Sequence, residues 1–308
     1  MRKRGGESRR IIALFLALLF FAAGAAAEAP AEYMENEWNY VDGSIDPSRG
    51  IPADAQGQLA RIRETGRLRV ATEPYFAPQE FIDPALSGQE KYMGADMELA
   101  RLIAERMGVE LEIVPMDFTL VLTAVAEGDC DLAISALSFL PSRAAQTTMS
   151  KGYHYTEDSL GSGLMIRAED AAAITDLSSL DGRVIAAQSG SLQESLAAEH
   201  IQAYLEFRRL PSVQSLYQAL ENKEADAVMV DVETAENYIR ANPEKGFALL
   251  PGVQFQMEPQ FEGDRIACKK GELQLMYFVN GVIDEVLSSG LYEDWFTQYT
   301  AYAAGLGL

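Results

Sequence analysis

Several residues that could hold a small zwitterion follow apolar segments of this chain. Arg143 offers a planar guanidinium that matches a carboxylate, and Gly190 and Ser191 begin a predicted helix whose first N–H groups favour an anion. Asp231 could accept a hydrogen bond from an ammonium group, and Ser138 could serve either charge. A carboxylate and an ammonium on one carbon describe an α-amino acid, so this combination predicts an amino-acid site.

Further residues near the ends of predicted strands or at the start of a predicted helix are expected beside such a ligand. Glu73 and Phe76 follow the first predicted strand, Leu137 precedes the serine, and Phe118 begins another predicted helix. Each residue type also has an ordinary structural use: arginine in an ion pair, aspartate or serine as a helix N-cap, and phenylalanine in the core. Only their joint placement indicates a binding site.

The elements that must position these residues alternate between strand and helix. In the first half we expect strands at 67–72, 110–114 and 131–137, a helix to residue 107 with Asp96 as its N-cap, and a helix at 118–127. In the second half we expect strands at 183–187, 205–210, 226–230 and 263–268, and helices at 191–199, 213–221, 233–241, 273–287 and 292–299. This order predicts two α/β lobes, with a ligand held between the carboxyl ends of their strands.

Composition limits the classes of function. The 308 residues include 46 acidic and 25 basic side chains, for a net charge of -21. Such an acidic chain is a poor partner for nucleic acid or for an anionic lipid surface, since both need an excess of Lys and Arg. Two histidines and two cysteines leave little for a zinc site, and no glycine-rich phosphate loop is present, so we expect neither metal nor cofactor. Cys130 and Cys268 could form a disulfide or remain buried thiols.

The first residues have the pattern of an export signal. Basic residues at 2–10 precede an apolar run at 11–22, and three alanines end at Ala27. We expect a signal peptide at 1–27 that is cleaved after Ala27, with an uncleaved membrane anchor as the alternative. Residues 28–58 are a lead-in segment that could lie on the body of the protein or stay loose.

An ordered series of motifs resembles the family 3 extracellular solute-binding proteins. The series reads VATEPYFAPQEF, GADMELARLIAERMGVE, DLAISALSFLPSRA, IAAQSGSLQESL, ADAVMVD and YFVNGVIDEVLSSGLYEDW, over about residues 67–299. The resemblance implies a two-lobed type II periplasmic-binding fold, with residues 59–155 and 263–308 in the first lobe and 156–262 in the second. It also implies a monomer at the periplasmic or extracellular face that delivers an amino acid or similar small molecule to an ABC-transporter permease.

The resemblance assigns roles to the polar residues. Arg143 looks like the family arginine that holds the ligand α-carboxylate, with Ser191 and the backbone of Leu192 contributing from the second lobe. Ser138 and Asp231 look like the groups that hold the α-ammonium.

The remaining residues would surround the ligand side chain. Phe76 and Phe118 stand where the family places aromatic residues, and Glu73 falls where some members that recognise basic side chains carry an acid. The chain departs from the family at Leu140, where Thr is usual, and at Gln79, where Phe is usual. These departures remove donors or apolar surface and leave the ligand's identity open.

Two other functions are compatible with the same resemblance. Cyclohexadienyl dehydratases resemble this family and eliminate water and carbon dioxide from prephenate or arogenate. They require a carboxyl group with a raised pKa as a general acid in the cleft, and Glu73 or Glu80 would be the candidate here. A ligand-binding sensory module is the third possibility.

Overall fold

Two α/β lobes make up the protein in the computed structural model, which describes residues 40–155 and 161–308. The expected signal peptide at 1–27 and the first part of the lead-in segment lie outside the described residues. Within the described residues, no helix is long and apolar enough to cross a membrane. The α/β class expected from the sequence is confirmed.

The first lobe contains the beginning and the end of the described chain. Its strands are β1 (Arg67–Thr72), β2 (Tyr75–Phe76), β3 (Glu80–Ile82), β4 (Tyr92–Met93), β5 (Glu110–Pro115), β6 (Leu132–Ser138), β7 (Thr147–Met149) and, after the second lobe, β13 (Asp264–Lys269). Its helices are α1 (Gly57–Thr65), α2 (Ala95–Met107), α3 (Phe118–Glu127), α4 (Pro141–Gln146), α8 (Leu273–Ser289) and α9 (Leu291–Leu306).

The second lobe lies between β7 and β13 in the sequence. Its strands are β8 (Ser162–Arg167), β9 (Val184–Gln188), β10 (Glu206–Leu210), β11 (Ala227–Asp231) and β12 (Phe247–Phe255). Its helices are α5 (Leu192–His200), α6 (Val213–Glu221) and α7 (Val232–Ala241). The chain therefore passes between the two sheets twice. The lobe boundaries that we expected after residues 155 and 262 fall in these connections and stay predictions.

The two main sheets have matching topologies. In the first, the strand order is β5-β1-β6-β13-β7, and in the second it is β10-β9-β11-β8-β12. The first three strands of each sheet are parallel, and β13 and β8 run antiparallel to their neighbours. Because parallel strands end at the same edge, each sheet presents a row of carboxyl ends where a ligand can bind.

Among the described residues, the sequence pattern located seven of the thirteen strands and seven of the nine α-helices, and it missed β2, β3, β4, β7, β8, β12, α1 and α4. Strand β1 and helix α3 have the bounds expected for them, because in each case a glycine or an apolar repeat marks the end. The last helix, α9, continues to Leu306, seven residues beyond the expected end at Tyr299. Tyr299 and Ala303 are buried on its inner face, which continues the apolar stripe that we ended too early.

The prediction of Asp96 as the N-cap of α2 was wrong. The cap is Gly94, and the N–H groups of Ala95 and Asp96 donate to the carbonyl oxygens of Pro78 and Gln79. Because these carbonyls satisfy the first turn, the Asp96 side chain turns into the core. There it accepts hydrogen bonds from the Ala136 N–H (2.9 Å) and from the hydroxyls of two buried tyrosines, Tyr153 (2.8 Å) and Tyr292 (2.6 Å).

The described part of the lead-in segment lies on the first lobe. Val41 is fully buried, and its N–H donates to the carbonyl of Met149. The side-chain amide of Asn280 on α8 donates to the carbonyls of Val41 (2.7 Å) and Gly43 (2.8 Å). Residues 40–58 are thus part of the folded body.

Cys130 is a free thiol buried beneath α3, so the described structure lacks the disulfide to Cys268 that the sequence left open. Both sulfurs are buried, and Cys130 packs as a small apolar side chain.

Candidate ligand-binding site

A cavity of about 110 Å³ lies between the carboxyl ends of the two sheets. Eight of the nine residues singled out from the sequence line it: Glu73, Phe76, Phe118, Ser138, Arg143, Ser191, Leu192 and Asp231. The first five belong to the first lobe and the last three to the second. The topology therefore brings together residues that are up to 158 positions apart in the chain.

Leu137 is the exception: it does not line the cavity, and its assignment to the ligand site stays a prediction. Its side chain is fully buried in the core between α3 and the first sheet. Its neighbours Ser135, Ala136 and Ser138 line the cavity.

Arg143 is fixed at the boundary of the two lobes. It is 6 % exposed, and its guanidinium donates to the carbonyl of Ser138 (2.8 Å) and, across the cleft, to the carbonyl of Gly190 (3.0 Å). The ring of Phe118 lies 5.5 Å from the guanidinium carbon. Burial lowers the pKa of Arg143 to about 10, opposed by the charge of Asp264, so the group stays cationic at neutral pH. It is a buried cation without a carboxylate ion partner among the described residues.

The start of α5 is partly occupied by the chain itself. The Gly190 N–H donates to the Glu194 carboxylate (2.7 Å), and the Ser191 hydroxyl caps the helix by accepting from the Glu194 N–H (3.0 Å). We expected the Gly190 N–H to bind an anionic group of the ligand, but the Glu194 carboxylate already occupies it. Leu192 and Gln193 line the cavity as the first two residues of the helix, where N–H groups lack an intrahelical acceptor.

Two glutamates in the cavity wall are almost completely buried. Glu73 is 2 % exposed and Glu80 is 1 % exposed, and Ser135 joins them by accepting from the Glu73 N–H (3.1 Å) and donating to Glu80 Oε1 (3.0 Å). The other oxygens, Glu73 Oε1 and Glu80 Oε2, are buried without a hydrogen-bond partner. Burial raises the pKa of Glu73 to about 7, and burial together with the charges of Asp96 and Glu73 raises the pKa of Glu80.

Two aspartates add to the acidic character of the cavity. Asp231 caps α7 by accepting a hydrogen bond from the Thr234 N–H (2.9 Å). Helix capping was the ordinary structural use expected for this residue, and Asp231 also lines the cavity. Asp264 stands at the start of β13, paired in register with Ser138. Burial raises the pKa of Asp231 to about 6 and of Asp264 to about 7.

The two lobes touch around the cavity. Gln188 on the second lobe lies 3.4 Å from the carboxylate of Glu73 on the first, in addition to the Arg143 hydrogen bond to Gly190. Gly190 itself lies against Thr119 and Phe118 at the start of α3. A small molecule held here would be enclosed from both sides.

Several cavity residues were not singled out as site residues from the sequence: Gln79, Glu80, Ser135, His154, Gln188 and Asp264. Gln188 is the last residue of β9 and could have been found from its place at a strand end, whereas Ser135 lies in the middle of β6. Asp264 and His154 come together only through the pairing of the two connections between the lobes, for which the sequence carries no local signal. Among the described residues, no group of three or more His, Cys, Asp or Glu side chains could hold a metal ion.

A closed cleft between two α/β lobes, lined by charged groups of both signs, defines a solute-binding protein. The chain belongs to the bacterial extracellular solute-binding proteins, family 3, whose family model matches residues 68–301. The expectation drawn from the sequence motifs is confirmed.

Named relatives and solved structures agree with this assignment. A probable histidine-binding protein of Campylobacter jejuni is 26 % identical over 234 residues, which cover 75 % of this chain and 84 % of that protein. The arginine-binding extracellular protein ArtP of Bacillus subtilis is 27 % identical over 236 residues, covering 75 % and 86 %. The structure of the substrate-binding protein AbpA of Streptococcus pneumoniae, bound to L-arginine, superposes with a TM-score of 0.69 at 29 % identity, covering 79 % of this chain and 98 % of that one.

Proposed function

We propose that this protein captures a cationic amino acid, with arginine as the first candidate, between its two lobes. In this proposal Arg143 pairs with the α-carboxylate and Asp231 accepts from the α-ammonium. The side-chain cation lies against Glu73 and Glu80. The protein acts outside the cytoplasmic membrane and delivers the ligand to the permease of an ABC importer.

The observation that carries the proposal is the pair of buried carboxylate oxygens without hydrogen-bond partners, Glu73 Oε1 and Glu80 Oε2. A buried polar atom without a partner is costly, and a buried carboxylate more so. A guanidinium or ammonium group in the cavity would supply donors and positive charge to both oxygens. A bound amino acid with a neutral or acidic side chain would leave the negative charge of the cavity wall uncompensated.

The charge of the cavity as a whole supports the same ligand class. Acidic residues in its wall are Glu73, Glu80, Asp231, Glu262 and Asp264, against one arginine and one histidine. An amino acid with a cationic side chain brings one net positive charge to this surplus of carboxylates. The names of the relatives, which include histidine-binding and arginine-binding proteins, support the proposal as well.

A thermal-shift panel on protein that has been unfolded and refolded to remove carried-over ligand tests the proposal. Ligand at about 100 times its dissociation constant adds roughly 2.7 kcal/mol, which is a rise in Tm of about 5–10 °C for a chain of this size. We expect this rise with arginine, lysine, ornithine or histidine, and a much smaller one with glutamate. A rise with acidic or neutral amino acids alone would contradict the proposed ligand class.

A second candidate function is supported by one observation. Glu73 is buried in the cavity with its pKa raised to about 7, which is the property required of the general acid in a prephenate or arogenate dehydratase. Incubation of the protein with each compound, followed by chromatography, tests this function. Turnover that is lost in Glu73→Gln would favour the dehydratase, whereas recovery of both compounds unchanged would eliminate it.

A further inference from the structure

His154 lies where the two connections between the lobes run side by side. The chain leaves the first lobe through Tyr153 and His154 and returns at Asp264. The Asp264 N–H donates to the carbonyl of His154 (2.9 Å), and the Tyr153 N–H donates to the carbonyl of Asp264 (2.8 Å). The histidine is therefore held on the backbone that joins the lobes.

The His154 ring is packed between helices of different lobes. It is 3 % exposed and stacks on Phe296 of α9, with ring centroids 4.4 Å apart. Its Nδ1 lies 3.1 Å from the carboxylate of Glu293 on α9, in the first lobe. Its Nε2 lies 3.6 Å from the carboxylate of Glu233 on α7, in the second lobe. Helices α7 and α9 pack against each other at this point.

The chemistry of this arrangement requires a charged imidazole. An imidazole that faces carboxylates with both nitrogens can donate to both only when it is doubly protonated. Burial lowers the pKa of His154, but hydrogen bonding to Glu233 and Glu293 and the negative charges of Asp264 and Glu293 together outweigh burial and raise the pKa to about 10. The titratable groups that face it from the packed elements are Glu233 on α7, Asp231 at the N-cap of α7, Glu293 and Tyr292 on α9, and Asp264 on β13.

The interaction of His154 with Glu233 lies close to the ligand site. Glu233 is two residues after Asp231, and both belong to the first turn of α7 or its cap. Whatever fixes Glu233 against the first lobe also fixes the position of Asp231 in the cavity. The 3.6 Å gap between His154 Nε2 and Glu233 Oε2, two buried atoms without another hydrogen-bond partner, would close with a shift of a few tenths of an ångström.

We propose that His154 is a positioning residue: its imidazolium bridges Glu293 of the first lobe and Glu233 of the second and holds the lobes closed over the ligand. The bridge acts through the inter-lobe geometry. We expect that removing the charge of His154 or of Glu233 opens the cleft and speeds release of the ligand.

The first test uses ligand-free protein and does not depend on the proposed ligand. The chain has two histidines, so His200→Gln assigns their signals in an NMR spectrum of the ring nitrogens. We expect both nitrogens of His154 to be protonated at pH 7.5. Small-angle scattering should show a larger radius of gyration for Glu233→Gln than for the matched control Glu236→Gln, an exposed glutamate on the same helix. A neutral His154, or identical scattering of the two variants, would overturn the proposal.

The second test uses the dissociation rate of arginine and rests on the proposed function. We expect Glu233→Gln and His154→Gln to release arginine at least tenfold faster than Glu236→Gln, with association rates that differ less than threefold. A structural role alone would lower the Tm of these variants and leave the dissociation rate of the folded protein unchanged. Failure of the wild-type protein to bind arginine would contradict the ligand class, while the NMR and scattering results would still decide the role of His154.

Discussion

The guanidinium of Arg143, on the first lobe, donates a 3.0 Å hydrogen bond to the carbonyl oxygen of Gly190, on the second. The residue that we expect to hold the ligand carboxylate thus also joins the two sides of the cleft. Ligand binding and lobe closure share one side chain, so a loss of this arginine affects both.

Replacing Arg143 with alanine should abolish tight binding. The ligand carboxylate would enter a buried site without its cation, which costs on the order of 2–5 kcal/mol, or about 30-fold to several thousand-fold in Kd. Calorimetric titration measures the change, and Arg67→Ala, which removes an exposed arginine at the far end of β1, is the control. An Arg143→Ala variant with wild-type affinity would refute the carboxylate assignment.

The affinity for a cationic ligand should rise with pH up to about pH 7 and then level off. Burial raises the pKa of Glu73 and of Asp264 to about 7 and that of Asp231 to about 6, so toward lower pH these carboxyl groups take up protons that a bound cation must displace. Titrations between pH 5.5 and 8.5 in buffers of different ionisation enthalpy would measure the affinity and the released protons together. A Kd that is constant over this range would contradict a cation beside these groups.

Two substitutions of Asp231 should distinguish the role of its charge in ligand binding from its role as the cap of α7. Asp231→Asn keeps an oxygen that can accept from the Thr234 N–H, so the Tm of the ligand-free protein should change little, while the affinity for an α-ammonium ligand should fall. Asp231→Ala removes the cap as well and should cost about 0.5–2 kcal/mol of stability. Equal affinity in the wild type and Asp231→Asn would show that the ammonium lies elsewhere.

Asp96 should be a major contributor to the stability of the first lobe. Asp96→Ala leaves the Ala136 N–H and the hydroxyls of Tyr153 and Tyr292 without their acceptor in a buried site. We expect a loss of about 3–5 kcal/mol in urea unfolding, because three buried donors lose their acceptor at a cost of about 1–3 kcal/mol each. Glu105→Ala, on the exposed face of the same helix, should change the free energy of unfolding by less than about 0.5 kcal/mol.

Local sequence patterns were sufficient for the two-lobed α/β fold. Apolar strands separated by amphipathic helices predicted most of the elements. The rule that ligands bind at strand ends, together with a predicted helix start and the family resemblance, selected eight residues that line one cavity. The same rule also selected Leu137, whose side chain lies in the core, and its place in the ligand site stays a prediction.

Other features depend on contacts between distant segments. The cap of α2 could not be predicted, because the carbonyls of Pro78 and Gln79 that replace the Asp96 cap come from a separate turn. The occupation of the Gly190 N–H by Glu194 depends on how the first turn of α5 folds back. The bridge from His154 to Glu233 and Glu293 joins residues 79 and 139 positions apart.

The comparison of arginine with citrulline tests the central claim most directly. Citrulline has the shape of arginine without its side-chain charge, so both present the same α-carboxylate and α-ammonium to Arg143 and Asp231. Calorimetric titration of refolded protein at pH 7.5 should give a Kd for arginine at least about 30-fold lower than for citrulline, because only arginine pairs with the buried carboxylates of Glu73 and Glu80. Equal affinities, or tighter binding of citrulline, would contradict a cationic amino acid as the ligand.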